Sequence, residues 1–232
     1  MHFNKNKILI TLLFINFFYF FIGFIYQHDF TNGGKIDFEH IYTNFLLLKK
    51  YSIFNLDWTT YESTSLPLHY IITSNIIPEN IFLFKLYNFI LSLITIYLFF
   101  YLLSEIYKIK NNIYILILSS ILMISSSFRG DSFFGQEEII GYTLVILSFI
   151  FLIKYSNTKN FYFKVLSIVF ACLAFYSRQT LGFLSIIIFF QLLEKNKIFC
   201  KNNLYLSLFF LILLLPSLYF FYKWGGPIPM FQ

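Results

Sequence analysis

Residues 8–26 read ILITLLFINFFYFFIGFIY, nineteen positions without a charge. As a helix such a run is about 28 Å long, enough for the hydrocarbon core of a bilayer. Lys5 and Lys7 precede it, as in the basic start of a secretory signal. The run is longer than a usual signal core, and no small-x-small cleavage site follows. It is read as an uncleaved first span. Further apolar runs cover 81–103, 113–127, 139–153, 161–176, 181–193 and 204–222. Together they make seven.

The whole chain shares this bias. Of its 232 residues 58% are hydrophobic and 12% charged, and the mean hydropathy is +0.71. A soluble domain carries about 25% charged residues, so a water-soluble enzyme is excluded. The weight of Phe, Ile and Leu excludes disorder. The 34 Phe and 18 Tyr, with abundant Asn, Ile and Lys, also point to AT-rich coding DNA. Part of the aromatic excess is then mutational. Cys172 and Cys200 cannot make a disulfide framework.

The runs 161–176 and 181–193 are separated only by Ser177-Arg178-Gln179-Thr180. They form either one long helix with an arginine in its middle or a tight helical hairpin, and charge decides. With seven spans, one side holds the N-terminus, the loops 104–112, 154–160 and 194–203, and Lys164. That side has ten lysines against Glu105 and Glu194. The other side has Lys35, Lys49, Lys50, Arg129, Arg178 and Lys223 against nine carboxylates. Fusing 161–193 would carry Lys195, Lys197 and Lys201 across and spoil the positive-inside pattern. The hairpin is therefore predicted, with a cytoplasmic N-terminus. Net charge of +6 is then a topology signal, and no nucleic-acid partner is expected. The predicted fold is all-α: a polytopic bundle of about seven spans in one membrane domain over 1–232. Residues 27–80 form a long first extracytoplasmic loop with interfacial helices. AT-rich bias and a short N-terminus favour a bacterial inner membrane over the endoplasmic reticulum.

The acidic residues concentrate in that loop. In KIDFEHIYTNFLLLKKY, residues 35–51, Phe38, Ile41, Phe45 and Leu48 recur at helical spacing. This predicts an amphipathic helix lying on the membrane. Asp37, His40 and Asn44 share the neighbouring face. Glu39 is about 200° of helix rotation away from Asp37. The plain alternative is a solvated polar face. Asp57-Trp58 follows, then Pro67-Leu68-His69-Tyr70, where Pro67 can open a helix over 68–75. Trp58, Tyr61 and Tyr70 suit the headgroup level. Arg129-Gly130-Asp131 and Gln136-Glu137-Glu138 are predicted at an outer turn, and Arg178-Gln179-Thr180 at a hairpin tip on the same side. Arginine there either binds phosphate with its fork of donors or snorkels as an anchor. No phosphate loop, HExxH or zinc spacing is present, and neither a metal nor a cofactor is expected. The constellation suits a lipid-linked phosphate at the membrane surface, with a carboxylate to deprotonate an acceptor hydroxyl.

This order of motifs resembles the GT-C superfamily of integral-membrane glycosyltransferases, which use polyprenyl-phosphate sugars. The resemblance rests on Asp37-Phe38-Glu39-His40, Asp57-Trp58, Pro67-Leu68-His69-Tyr70, Arg129-Gly130-Asp131 and Arg178-Gln179-Thr180. The last is similar to the Arg-Gln-Thr of dolichyl-phosphate-glucose-dependent glucosyltransferases. The family's adjacent Asp-Glu pair is spread here to Asp37 and Glu39. Members usually have nine or more spans, so the resemblance implies the N-terminal part of a longer fold. It further implies an inverting hexosyltransferase, with Asp37 or Glu39 as general base. Arg178, Gln179 and Arg129 would bind the donor phosphate, and His40, Asp57, His69 and Asp131 would line the acceptor loop. A transporter or flippase for a lipid-linked solute, and a non-catalytic assembly subunit, are the alternatives. The former needs ionisable groups in mid-span, where the sequence offers only Lys85, near one end.

Overall fold

The computed structural model describes residues 5–26, 34–61, 63–109, 112–193 and 201–226. Expectations for Lys110, Lys195, Lys197 and Cys200 fall outside them. Among the described residues there are ten α-helices, three short 3₁₀ turns and no strand. Every apolar run of the sequence becomes helical: α1 (Lys5–Tyr26), α4 (Ile81–Tyr107), α5 (Ile113–Ser120), α7 (Glu138–Thr158), α8 (Phe161–Ser177), α9 (Gly182–Leu192) and α10 (Lys201–Trp224). Between α1 and α4 come α2 (Gly34–Lys50) and α3 (Leu68–Ile76), and α6 (Ser126–Phe134) follows α5. Four helices are long and apolar enough to cross a membrane, or five if a bent pair counts as one span. The chain is an all-α membrane protein.

The chain divides into two compact units. The first comprises Met1–Tyr42 and Ile77–Ile139. Its core is aromatic. Phe20 and Phe24 of α1 stack on Phe89 of α4, with ring centroids 5.1 and 4.4 Å apart. Phe20 also meets Phe133 of α6 at 5.2 Å. Asn16 Nδ2 donates to Ser120 Oγ at 2.9 Å, tying α1 to α5. On the opposite side of α1, Phe14 and Phe18 are exposed and stack on each other at 6.1 Å. In a bilayer that side meets lipid.

After α5 the helix tightens into a 3₁₀ turn, Ile121–Ile124, and α6 departs at 67°. Serine chemistry explains the break. Ser125 is extended and its hydroxyl accepts from Phe128 N, so it caps α6. The helix α6 stops at Gly135, whose φ of 73° only glycine adopts cheaply. Its N–H reaches back to Asp131 O. A Cβ at Gly135 would also lie 2.8 Å from Asn88 Nδ2.

The second unit comprises Thr43–Ile76 and Ile140–Gln232. Here α7, α8, α9 and α10 carry the core, with Ile168, Ala171, Cys172, Ile188, Leu192 and Leu206 buried together. Hydroxyls hold the helices close. Ser148 Oγ of α7 donates to Ser167 O at 2.6 Å, and Ser167 Oγ to Ser148 O at 3.0 Å. Ser185 Oγ of α9 donates to Ala171 O of α8 at 2.6 Å. Small polar residues at such seams let backbones approach in a medium with no water to compete. Residues 161–193 are the predicted hairpin and not one long helix. The chain breaks at Arg178, where φ is −147°, and α9 packs back on α8. Pro67 opens α3 as expected, with Ile71 N donating to Pro67 O.

Candidate functional site

Asp37 lies in the first turn of α2 and is exposed, as are Glu39 and His40. The helix already begins at Gly34, so Asp37 and Glu39 are both helical and project about 200° apart. Phe38, between them, turns inward. Its ring lies 6.3 Å from Phe84 of α4 and 6.5 Å from Phe134 of α6. Lys85 Nζ sits 4.3 Å above the same ring and 5.4 Å from Phe134. One turn on, Tyr42 meets Phe84 edge-on at 5.7 Å. Partial burial and the Glu79 charge hold its phenol above the usual tyrosine range.

Two expectations about α2 need correction. The stripe of Ile41, Phe45 and Leu48 is covered by protein, so α2 does not lie with that face on lipid. Asn44 is fully buried and does not share an open face with Asp37 and His40. Both follow from packing partners that helical spacing alone cannot identify.

Arg129-Gly130-Asp131 also departs from expectation. It forms part of α6, not an open turn, and Arg129 is 1% exposed. The guanidinium stacks 4.0 Å from the Tyr19 ring of α1, with Phe133 at 5.5 Å. Gly23 of α1 makes the space. A Cβ there would run into the guanidinium and lie 2.8 Å from the Phe133 ring. Arg129 therefore serves α1 packing, whereas Lys85 stands against the helix of Asp37. Asp131 and Glu137 are buried too. The clue to Lys85 was its isolation, a lone charge in a 23-residue apolar run.

Arg178 belongs to the second unit. It is the C-cap of α8, its N–H donating to Ala174 O at 2.9 Å while its carbonyl accepts from Leu181 N at 2.9 Å. Arg178 and Gln179 are half-buried and Thr180 is exposed at the tip of the hairpin. Two contacts hold it. Gly141 of α7 gives room to Ser177 and Leu181. Tyr176 reaches across to α10 and bonds its backbone.

The rest of the first loop is in the same unit. Asp57 is exposed and caps the 3₁₀ turn Trp58–Thr60. It accepts from Thr59 N at 3.1 Å and Thr59 Oγ1 at 2.8 Å. These bonds hold its carboxyl below the usual range. His69 is fully buried in α3, edge-on to Tyr70 at 5.2 Å. Trp58, Tyr61 and Tyr70 are not a membrane belt but a buried cluster. Trp58 meets Phe220 at 5.2 Å and Tyr61 stacks on Trp224 at 5.9 Å. Tyr61 OH donates to Ser65 O at 2.8 Å. Both indole nitrogens are buried without a hydrogen-bond partner among the described residues.

No three His, Cys, Asp or Glu among the described residues are arranged to hold a metal. What the elements offer is an exposed carboxylate on an anchored helix start and an Arg/Gln-bearing hairpin tip. Comparison with protein families, curated proteins and solved structures finds nothing that matches this chain.

Proposed function

We propose that the chain is a membrane glycosyltransferase of GT-C type, moving a sugar from a polyprenyl-phosphate donor to an acceptor on the extracytoplasmic face. The observation that supports it is Asp37. It is exposed in the first turn of α2. Its neighbour Phe38 anchors that turn to α4 and α6, so the base is carried on a rigid element.

In this reading Asp37 takes the acceptor's hydroxyl proton as the oxygen attacks the anomeric carbon. The bond to the lipid phosphate breaks with its electron pair leaving on phosphate, and the anomeric centre inverts. The part of Arg178 and Gln179, holding the departing phosphate, is what the Arg-Gln-Thr resemblance implies. Arg129, buried over Tyr19, is poorly disposed for that work.

Transfer from labelled polyprenyl-phosphate sugars in proteoliposomes tests the reading. Asp37→Asn is expected to lower the rate by ~10²–10⁴-fold with unchanged insertion, and Glu39→Gln by less. Wild-type rates in both variants would remove the enzyme reading from this loop. A second reading, movement of a lipid-linked solute across the membrane, is favoured by the bent α5–α6 pair and its buried Arg129 and Asp131. Passage of the donor between leaflets without transfer would establish that reading instead.

A further inference from the structure

Pro216 interrupts α10. It cannot donate to the carbonyl of Ile212, and its ring crowds that carbonyl, so the ladder lacks that rung. A side chain from α8 reaches the same turn. Tyr176 OH, from the last turn of α8, donates to Leu213 O at 2.7 Å and accepts from Ser217 N at 3.1 Å. Leu213 and Ser217 stand four apart, so the phenol bridges the acceptor and the donor of one rung of α10. Ser217 Oγ is engaged separately, donating to Leu214 O at 2.7 Å. Tyr176 is two residues before Arg178, and Arg178 N is bonded to Ala174 O in the same turn. On the other side, Gly141 of α7 receives Ser177 and Leu181.

We propose that Tyr176 is a positioning residue for the hairpin tip: its hydroxyl, set into the α10 backbone at Pro216, fixes where Arg178 and Gln179 are presented to a phosphate-bearing lipid. The proposal rests on the transfer reading for the identity of that ligand. A phenol locked by two backbone bonds cannot rotate without breaking both. Loosening it frees the final turn of α8 and with it the base of the Arg178 side chain. The same lock joins the tip to the segment of α10 that ends in the Trp58–Trp224 cluster.

Tyr176→Phe removes the hydroxyl and keeps the ring. The test measures binding of a labelled polyprenyl-phosphate sugar to the chain in nanodiscs, alongside transfer and amide exchange at 213–217. The expected result is a donor Kd raised about 3–10-fold, as for loss of a modest hydrogen bond. The transfer rate at saturating donor should stay within about twofold. Exchange at Ser217 should accelerate. Pro216→Ala lets α10 close its own ladder and expel the phenol, and should weaken donor binding likewise, which covers a Tyr176→Phe chain that fails to fold. Ser217→Ala keeps the N–H and should leave donor binding unchanged.

Unaltered donor binding in Tyr176→Phe and Pro216→Ala, even with faster exchange at Ser217, would overturn the proposal and leave the transfer reading standing. A wild-type chain that binds donor without transferring it defeats only the transfer reading, with weaker binding still expected in Tyr176→Phe. A wild-type chain that binds no donor overturns both.

Discussion

Gly23→Ala in α1 pits two effects against each other. In a helix interior alanine is better than glycine by about 1 kcal/mol, so the substitution is stabilising on propensity alone. The site says otherwise. The new methyl would strike the Arg129 guanidinium and lie 2.8 and 3.0 Å from two carbons of Phe133. Neither neighbour can simply retreat. Phe133 is fully buried against Phe20, and Arg129 is held over Tyr19 at 4.0 Å. Overpacking of this kind costs about 1–3 kcal/mol, and a desolvated cation–π contact that is pushed away forfeits about 2 kcal/mol. The steric side wins, for a net loss of about 2–4 kcal/mol. Unfolding in mixed dodecylmaltoside/SDS micelles, followed by helicity, reads this as an earlier midpoint. In an Arg129→Met background, where no guanidinium meets the methyl, Gly23→Ala should cost less than half as much. A Gly23→Ala chain as stable as wild type would mean that α1 shifts freely on α6, and the notch reading would be refuted.

Asp57 makes the folded state pH-sensitive in a defined direction. Its bonds from Thr59 lower its pKa, so its contribution is present above the unfolded value of about 4 and is lost as pH falls through the lower folded value. An NMR titration of the Asp57 carboxyl should show the depressed midpoint, and Thr59→Val, which removes one of the two donors, should move it upward. For topology, cysteines at 108 and 159 should label only from the cytoplasmic side and those at 57 and 223 only from outside, as the charge asymmetry requires. Labelling of position 197 from outside would sink the orientation.

What the sequence by itself determined is what depends on short range. The long apolar runs are helical because a backbone in hydrocarbon must satisfy its own hydrogen bonds. The hairpin at 177–180 was legible because three lysines further along the chain had to remain on one side. Pro67 opened α3 through its fixed φ and missing N–H. Asp37 in the first turn of α2 could likewise be read from spacing. Tertiary structure decided everything that depends on a distant partner. Arg129 looked like part of a polar turn, yet Gly23 and Tyr19, more than a hundred residues earlier, draw it into the interior. Asn44 and the Trp58 cluster looked like surface because their polarity and aromaticity suit an interface, and only the packed fold covers them. Tyr176 resembled any other aromatic in an apolar run until the fold set its hydroxyl against the α10 backbone at Leu213 and Ser217, forty residues on. Periodicity tells which face of a helix is apolar; it cannot tell whether lipid or protein lies against that face, because both are equally free of water.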